Sequence, residues 1–118
     1  MNLAAEIEIT EVQTTGRTAV LRVRGRLDAS TAPTLLKRCA QIQANGQNLA
    51  LNLSGVTYLG SSGVGAMLVL VEQFQEQAGA VHFAELSESA RAVVELLDLG
   101  EYLIIHATES EALTALAA

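Results

Sequence analysis

The sequence predicts a single-domain α/β sandwich: a mostly parallel mixed sheet that starts with an N-terminal hairpin and carries about four helices. Three observations lead there. A chain of 118 residues is long enough for one core, since roughly two thirds of the unfolded surface can be buried at this size. Hydrophobic residues make up 50% of it and charged residues 17%, a globular and not a disordered composition. After the hairpin, short apolar strands alternate with segments of helical period, which implies parallel strands joined by helical crossovers. No internal repeat, low-complexity stretch or linker interrupts that order.

Glu6 to Gln13 alternates around Ile7, Ile9 and Val12 and reads as a half-exposed strand. Thr14-Thr15-Gly16 is a turn signal, and Ala19 to Val23 resumes as the second strand of a hairpin. Val23-Arg24-Gly25-Arg26-Leu27-Asp28 leads out of it. Ser30 or Thr31 can then cap a helix with Pro33 in its first turn, where the missing N–H costs nothing. Leu35, Leu36, Cys39 and Ile42 give that helix a buried stripe, and Asn45-Gly46 ends it. Leu49 to Leu53 is a short buried strand, followed by a turn and a helix running through Ala78. Val64, Met67, Leu68, Val71 and Phe74 recur there at helical spacing, and Gly79 is the stop. Val81 to Ala84 is the next strand. Ser87 opens a helix carrying Ala90, Val93, Val94 and Leu97, stopped by Gly100, and Tyr102 to Ile105 is the last strand. Thr108-Glu109-Ser110-Glu111 is a capping box, so the tail should be helical.

Composition excludes several functions. A net charge of −6 and an aromatic content of 3% without Trp argue against a nucleic-acid or anionic-membrane partner. Met1 to Glu6 lacks the basic and apolar regions of a signal peptide, and Val64 to Val71 is too short to cross a bilayer, so no membrane insertion and a cytoplasmic location are expected. Cys39 is the single cysteine and falls on an apolar stripe, which reads as a core residue. His82 and His106 are isolated in sequence, in or beside strands, and read as satisfied residues, so no metal site and no cofactor are expected. Gly60, Gly63 and Gly65 lack the lysine of a phosphate loop, and Ser61 has no base nearby in sequence. No catalytic residue emerges, and an enzyme is not expected.

Chemistry concentrates instead at the start of the central helix. Ser61 and Ser62 stand where that helix needs an N-cap, and a phosphate on either oxygen would meet the positive end of the helix dipole. A hydroxyl there is either a cap or a switch. Asp28, read from the residues alone, is an Asx-turn or cap before the next helix.

The quoted residues resemble the STAS domain, the fold of bacterial anti-sigma factor antagonists that is also found in sulfate transporters. The resemblance covers nearly the whole chain, 1–118, read as one domain. It rests on Gly25-Arg26-Leu27-Asp28, on the block Leu51 to Gly65, on Leu97-Asp98-Leu99-Gly100 and on Thr108 to Leu113. It implies an antagonist that binds an anti-sigma factor with serine kinase activity, is released by serine phosphorylation, and is reset by a serine phosphatase. Carried over by position, the acceptor is Ser61, with Ser62, Asp28, Gly60 and Gly63 around it. The sequence departs from the family twice: the aspartate before the acceptor is Gly60, and the usual aspartate of the buried strand is Asn52. The alternative use of the same domain is a fixed, non-switching subunit or scaffold, for instance beside a lipid-transport ATPase. A third reading, a small-ligand or nucleotide sensor, would use the same helix mouth, but Thr57 to Gln77 contains no basic residue to hold a phosphate.

Overall fold

The computed structural model describes residues 7–12 and 16–117. Strand β1 (Ile7–Val12) turns Ile7 and Ile9 toward the core and pairs antiparallel with β2 (Thr18–Leu27). From there the chain alternates: α1 (Ala32–Ala44), β3 (Asn48–Leu59), α2 (Ser61–Glu76), β4 (Val81–Ala84), α3 (Glu88–Leu96), a 3-10 turn at Leu99–Glu101, β5 (Ile105–His106) and α4 (Glu109–Ala117). The five strands lie in sequence order, and β2 through β5 are mutually parallel. The expected hairpin and parallel sheet are therefore present. Of the hairpin turn, Thr14 and Thr15 lie outside the described residues, as do Glu6, Gln13 and the Met1 to Glu6 segment.

Alternate residues of each strand point to opposite faces, and the two faces bury different helices. Leu21, Val23, Leu49, Leu51, Leu53, Val81 and Phe83 form the main core with the apolar sides of α1, α2 and α3. Val20, Ala50 and Ala84 point the other way and are covered by Ala112 and Leu116 of α4. Small residues on that face let α4 lie close. Cys39 is fully buried in the main core, and burial pushes its thiol up to about 12. At pH 8 its thiolate fraction is then on the order of one in ten thousand. A thiol reagent at pH 8 should leave the native protein unlabelled and react within seconds once denaturant opens the core; labelling without denaturant would contradict this packing.

Several boundaries differ from those read in sequence, each for a local reason. Strand β3 does not end at Leu53 but runs to Leu59, absorbing two extra residues opposite β2 between Arg22 and Arg24 and between Gly25 and Arg26. Such bulges twist a strand without ending it. On α2 the buried residues are Gly63, Val64, Ala66, Met67, Leu70 and Phe74, whereas Leu68 is 37% exposed. That helix ends at Glu76, not Ala78, because Ala78 takes a left-handed φ of 59° and the Gly79 N–H then closes on the Phe74 carbonyl. Helix α3 ends at Leu96 for the same reason: Asp98, not Gly100, carries the left-handed φ of 54°. Leu97 is consequently exposed. The 3-10 turn at Leu99–Glu101 carries on into the expected last strand only as a turn, with the Tyr102 and Leu103 N–H groups both closing on the Leu99 carbonyl, so pairing starts late and β5 is Ile105 and His106.

Both serine-type caps downstream form. The Ser87 hydroxyl accepts from the Ala90 N–H at 3.1 Å. Thr108 Oγ1 accepts from the Glu111 N–H at 3.1 Å, while the returning Glu111 carboxylate accepts from Ala107 one residue earlier than an ideal box. Among the described residues, no helix is long and apolar enough to cross a membrane.

Candidate functional site

The parallel strands β2 and β3 end side by side, with Leu27 opposite Leu59. One residue further on stand Asp28 and Gly60, and the Gly60 N–H donates to the Leu27 carbonyl at 2.9 Å. The topology thus brings Asp28, Gly60, Ser61, Ser62 and Gly63 to one end of the sheet.

Gly60, extended at φ −91° and ψ 177°, is the N-cap of α2. Ser61 and Ser62 are therefore the first two helical residues and not caps. Having begun one residue earlier than the sequence suggests, the helix leaves its first N–H groups without a side-chain acceptor. Both serines are exposed, and among the described residues neither hydroxyl has a hydrogen-bond partner. Gly63 is fixed tightly: a Cβ there would stand 2.6 Å from the Leu27 carbonyl oxygen and 2.7 Å from a Leu59 methyl. Glycine is required so that the helix mouth can sit against β2.

Asp28 closes the turn into α1. Its Oδ1 accepts from the Ser30 N–H at 3.0 Å and the Ser30 hydroxyl at 2.7 Å, which holds the carboxyl below its ordinary range. Thr31, only 2% exposed, donates to the Arg26 carbonyl and accepts from the Asp28 N–H. Thr31 occupies the N-cap position of α1 but makes no side-chain capping bond, since its hydroxyl holds the preceding turn. This geometry is the Asx-turn reading of Asp28, set beside the candidate acceptor.

Several participants are not evident in the sequence. Arg26 stacks over Tyr58, 4.3 Å from its ring centroid, and its Nε lies 3.3 Å from Asp28 Oδ2. The alternation Arg22, Arg24, Arg26 already puts these cations on one face of β2, but the pairing of Arg26 with Tyr58 depends on the bulged register. Asn52, 4% exposed, donates to the Glu109 carboxylate and accepts from the Ser54 N–H. Glu109 also takes two bonds from Arg22, at 2.7 and 3.0 Å, and these hold its carboxyl below the ordinary value. His82 and His106 are not isolated in space: Nδ1 of His82 lies 2.9 Å from Nε2 of His106. Burial, and then the neighbouring His106, lower the His82 pKa. Among the described residues no three His, Cys, Asp or Glu side chains gather as metal ligands.

The model of the STAS domain matches residues 10–112. The chain belongs to the STAS domain family. This STAS domain is 24% identical over 87 residues to the anti-sigma-B factor antagonist of Bacillus subtilis (strain 168), covering 74% of this chain and 80% of that protein. It shares its fold with an anti-sigma factor antagonist from Mycobacterium paratuberculosis, with a TM-score of 0.85 at 24% identity over 99% of this chain and 98% of the other. It also shares it with the anti-sigma factor antagonist SpoIIAA in its unphosphorylated form, with a TM-score of 0.76 at 24% identity over 93% and 96% of the two chains. SpoIIAA from Bacillus in its phosphorylated form gives 0.69 at 24% identity over 92% and 98%.

Proposed function

We propose that this STAS domain is an anti-sigma factor antagonist. It binds an anti-sigma factor that is also a serine kinase, is released when Ser61 is phosphorylated, and is reset by a serine phosphatase, all in the cytoplasm. The observation that carries the reading is the state of Ser61: exposed, at a helix mouth, with its hydroxyl unengaged and so open to a kinase. Ser61, Ser62, Gly65, Leu68, Val69 and Glu72 follow one side of α2 at helical spacing. On that side Leu68 is 37% and Val69 41% exposed, an apolar stripe suited to a partner's surface. A partner seated there would cover Ser61. The antagonist names of the Bacillus subtilis relative and of the fold neighbours support the same reading.

The switch needs no refolding. A phosphoserine adds about −1.5 to −2 charges, which an interface shaped for a hydroxyl must desolvate. A penalty of about 3 kcal/mol weakens binding roughly a hundredfold. Wild-type and Ser61→Asp proteins should therefore differ sharply in a pull-down from native lysate read by mass spectrometry. An anti-sigma kinase should be retained by wild type and lost from the variant, and Ser61 should carry stoichiometric phosphate after incubation with that kinase and ATP. Equal retention of one partner by both proteins, a transport-ATPase subunit for example, would replace this reading with the fixed scaffold.

A further inference from the structure

We propose that the turn after α3, together with the open edge of β5, is a second docking surface. Its occupant is an extended segment of a partner protein in which large apolar side chains alternate with arginine or lysine. The surface is independent of Ser61. Among the described residues, the four most exposed large hydrophobic side chains all fall in the stretch 96–104: Leu96 at 82%, Tyr102 at 65%, Ile104 at 53% and Leu97 at 51%. They are fixed in place. Leu99 and Leu103 are buried in the main core, and the Tyr102 and Leu103 N–H groups both close on the Leu99 carbonyl. Apolar side chains grouped in this way on a fixed turn mark a contact surface. Beside them an open groove of about 280 Å³ runs between α3 and β5, with Leu86, Val94 and Ile105 below and Arg91, Glu95 and Asp98 at its rim. Strand β5 is the open edge of the sheet. The Ile104 and His106 carbonyls accept from the Phe83 and Glu85 N–H groups, so Ile105 between them turns its own N–H and carbonyl outward, toward the position of an added strand.

Charge selects the occupant. Glu95, Asp98 and Glu101 stand among these apolar side chains, and among the described residues none of the three is ion-paired. No lysine or arginine follows Arg91 in the sequence. The last turn of α3 also has no basic residue, although its carbonyl end favours a cation. A second copy of this chain would press like-charged carboxylates together, and an anionic membrane would be repelled. A partner segment with arginine or lysine beside its apolar residues supplies the missing charge. The stem of such a cation lies on the apolar floor of the groove and its head meets Glu95 and Asp98. Arg91, one helical turn before Glu95, keeps the cation to the Asp98 end. By register Ile105 lies level with Phe83 and Leu51, well before β3 ends at Leu59 and α2 begins at Ser61, so this surface is separate from the α2 side.

The test titrates two synthetic peptides into the isotopically labelled protein and follows backbone amide shifts by NMR. One peptide alternates leucine with arginine, and the other has glutamate in place of arginine. The first should move amides between 94 and 105 and leave those from 61 to 72 in place; the second should move neither. Leu96→Ser combined with Ile104→Ser should weaken the first peptide about tenfold, and Glu95→Gln combined with Asp98→Asn and Glu101→Gln should weaken it by a similar factor. All these positions are exposed, so both variants should melt close to wild type, which calorimetry checks. Affinity that survives the serine substitutions would reduce the contact to charge alone and overturn the proposal. Equal binding of the two peptides, or shifts spread over acidic residues elsewhere, would overturn it too. Self-association of the free protein in sedimentation, abolished by Leu96→Ser, would replace the partner segment with a second copy. Ser61→Asp should leave the peptide's affinity unchanged, and a loss there would overturn the independence of this surface. Failure of the antagonist reading leaves the titration untouched.

Discussion

Gly63→Ala is expected to lower the melting temperature by about 8 °C, while Gly65→Ala, two residues along the same helix, raises it. Alanine favours a helix over glycine by about 1 kcal/mol, so propensity alone would stabilise both variants. At Gly65 nothing lies within 4 Å of an added Cβ, and that gain should appear in full. At Gly63 the added carbon would stand 2.6 Å from the Leu27 carbonyl oxygen, 2.7 Å from Leu59 Cδ1 and 2.9 Å from Leu27 Cγ. The nearest of these is backbone and cannot rotate away. It also accepts the Gly60 N–H at 2.9 Å, so drawing it back loosens the bond that ties the helix mouth to β2. Overpacking against such a neighbour costs about 3 kcal/mol, leaving a net loss of about 2 kcal/mol. For a domain of this size each 1 kcal/mol moves the midpoint by about 4 °C. Calorimetry of the two variants side by side isolates the packing contribution, because propensity is common to both. Shifts in the same direction would mean that the helix mouth yields, and that Gly63 is not what sets it against the strand.

The same region marks how far sequence carries. Strands β1 and β4, the first half of β2 and the start of α3 are legible because each follows from local pattern: alternation, a short apolar run, or a serine three residues before a free N–H. The rest of β2, to Leu27, reads in sequence as leading out of the strand. The phase of α2 is not. Its run Val64-Gly65-Ala66-Met67-Leu68-Val69-Leu70-Val71 is apolar all round, so several helical stripes fit equally well, and only packing against β3 and β4 turns Leu68 outward. Ser54 to Leu59 reads as a turn because polar residues and Gly55 break the run, whereas the two bulges let the strand continue. Residue type alone makes caps of the two serines, since it cannot tell that the extended residue is Gly60. The site's cluster at one end of the sheet is legible from strand order. The pairs within the molecule are not, since Arg26 with Tyr58 and Asn52 with Glu109 meet only through register and through α4 crossing the far face.

Asn52→Asp should destabilise the fold by about 3 kcal/mol at pH 7, although it restores the residue type that the family resemblance implies. Asn52 is buried and uses both ends of its amide: the oxygen accepts from Ser54 and the nitrogen donates to Glu109. An aspartate keeps the first bond, but it loses the donor and sets a second carboxylate against Glu109. In the wild type Glu109 titrates below its ordinary value near 4.5, held down chiefly by the Arg22 hydrogen bonds and then by Asn52. That contribution is present above about pH 4.5 and is lost as pH falls through the lower native value. In the variant one of the two facing carboxyls is raised instead, so the penalty is greatest at neutral pH and shrinks as acid supplies a proton that the pair can share. Urea midpoints measured from pH 7 to pH 4 should therefore converge, the wild type falling while the variant recovers. Adding Glu109→Gln to Asn52→Asp reverses the polarity of the bond. The amide introduced on α4 then donates to the carboxylate introduced on β3, and Arg22 still stands beside a single negative charge. That double variant should recover most of the lost stability and lose the convergence with pH. If it unfolds as easily as Asn52→Asp alone, the asparagine serves the bulge at Ser54, and the contact with α4 is incidental to its presence.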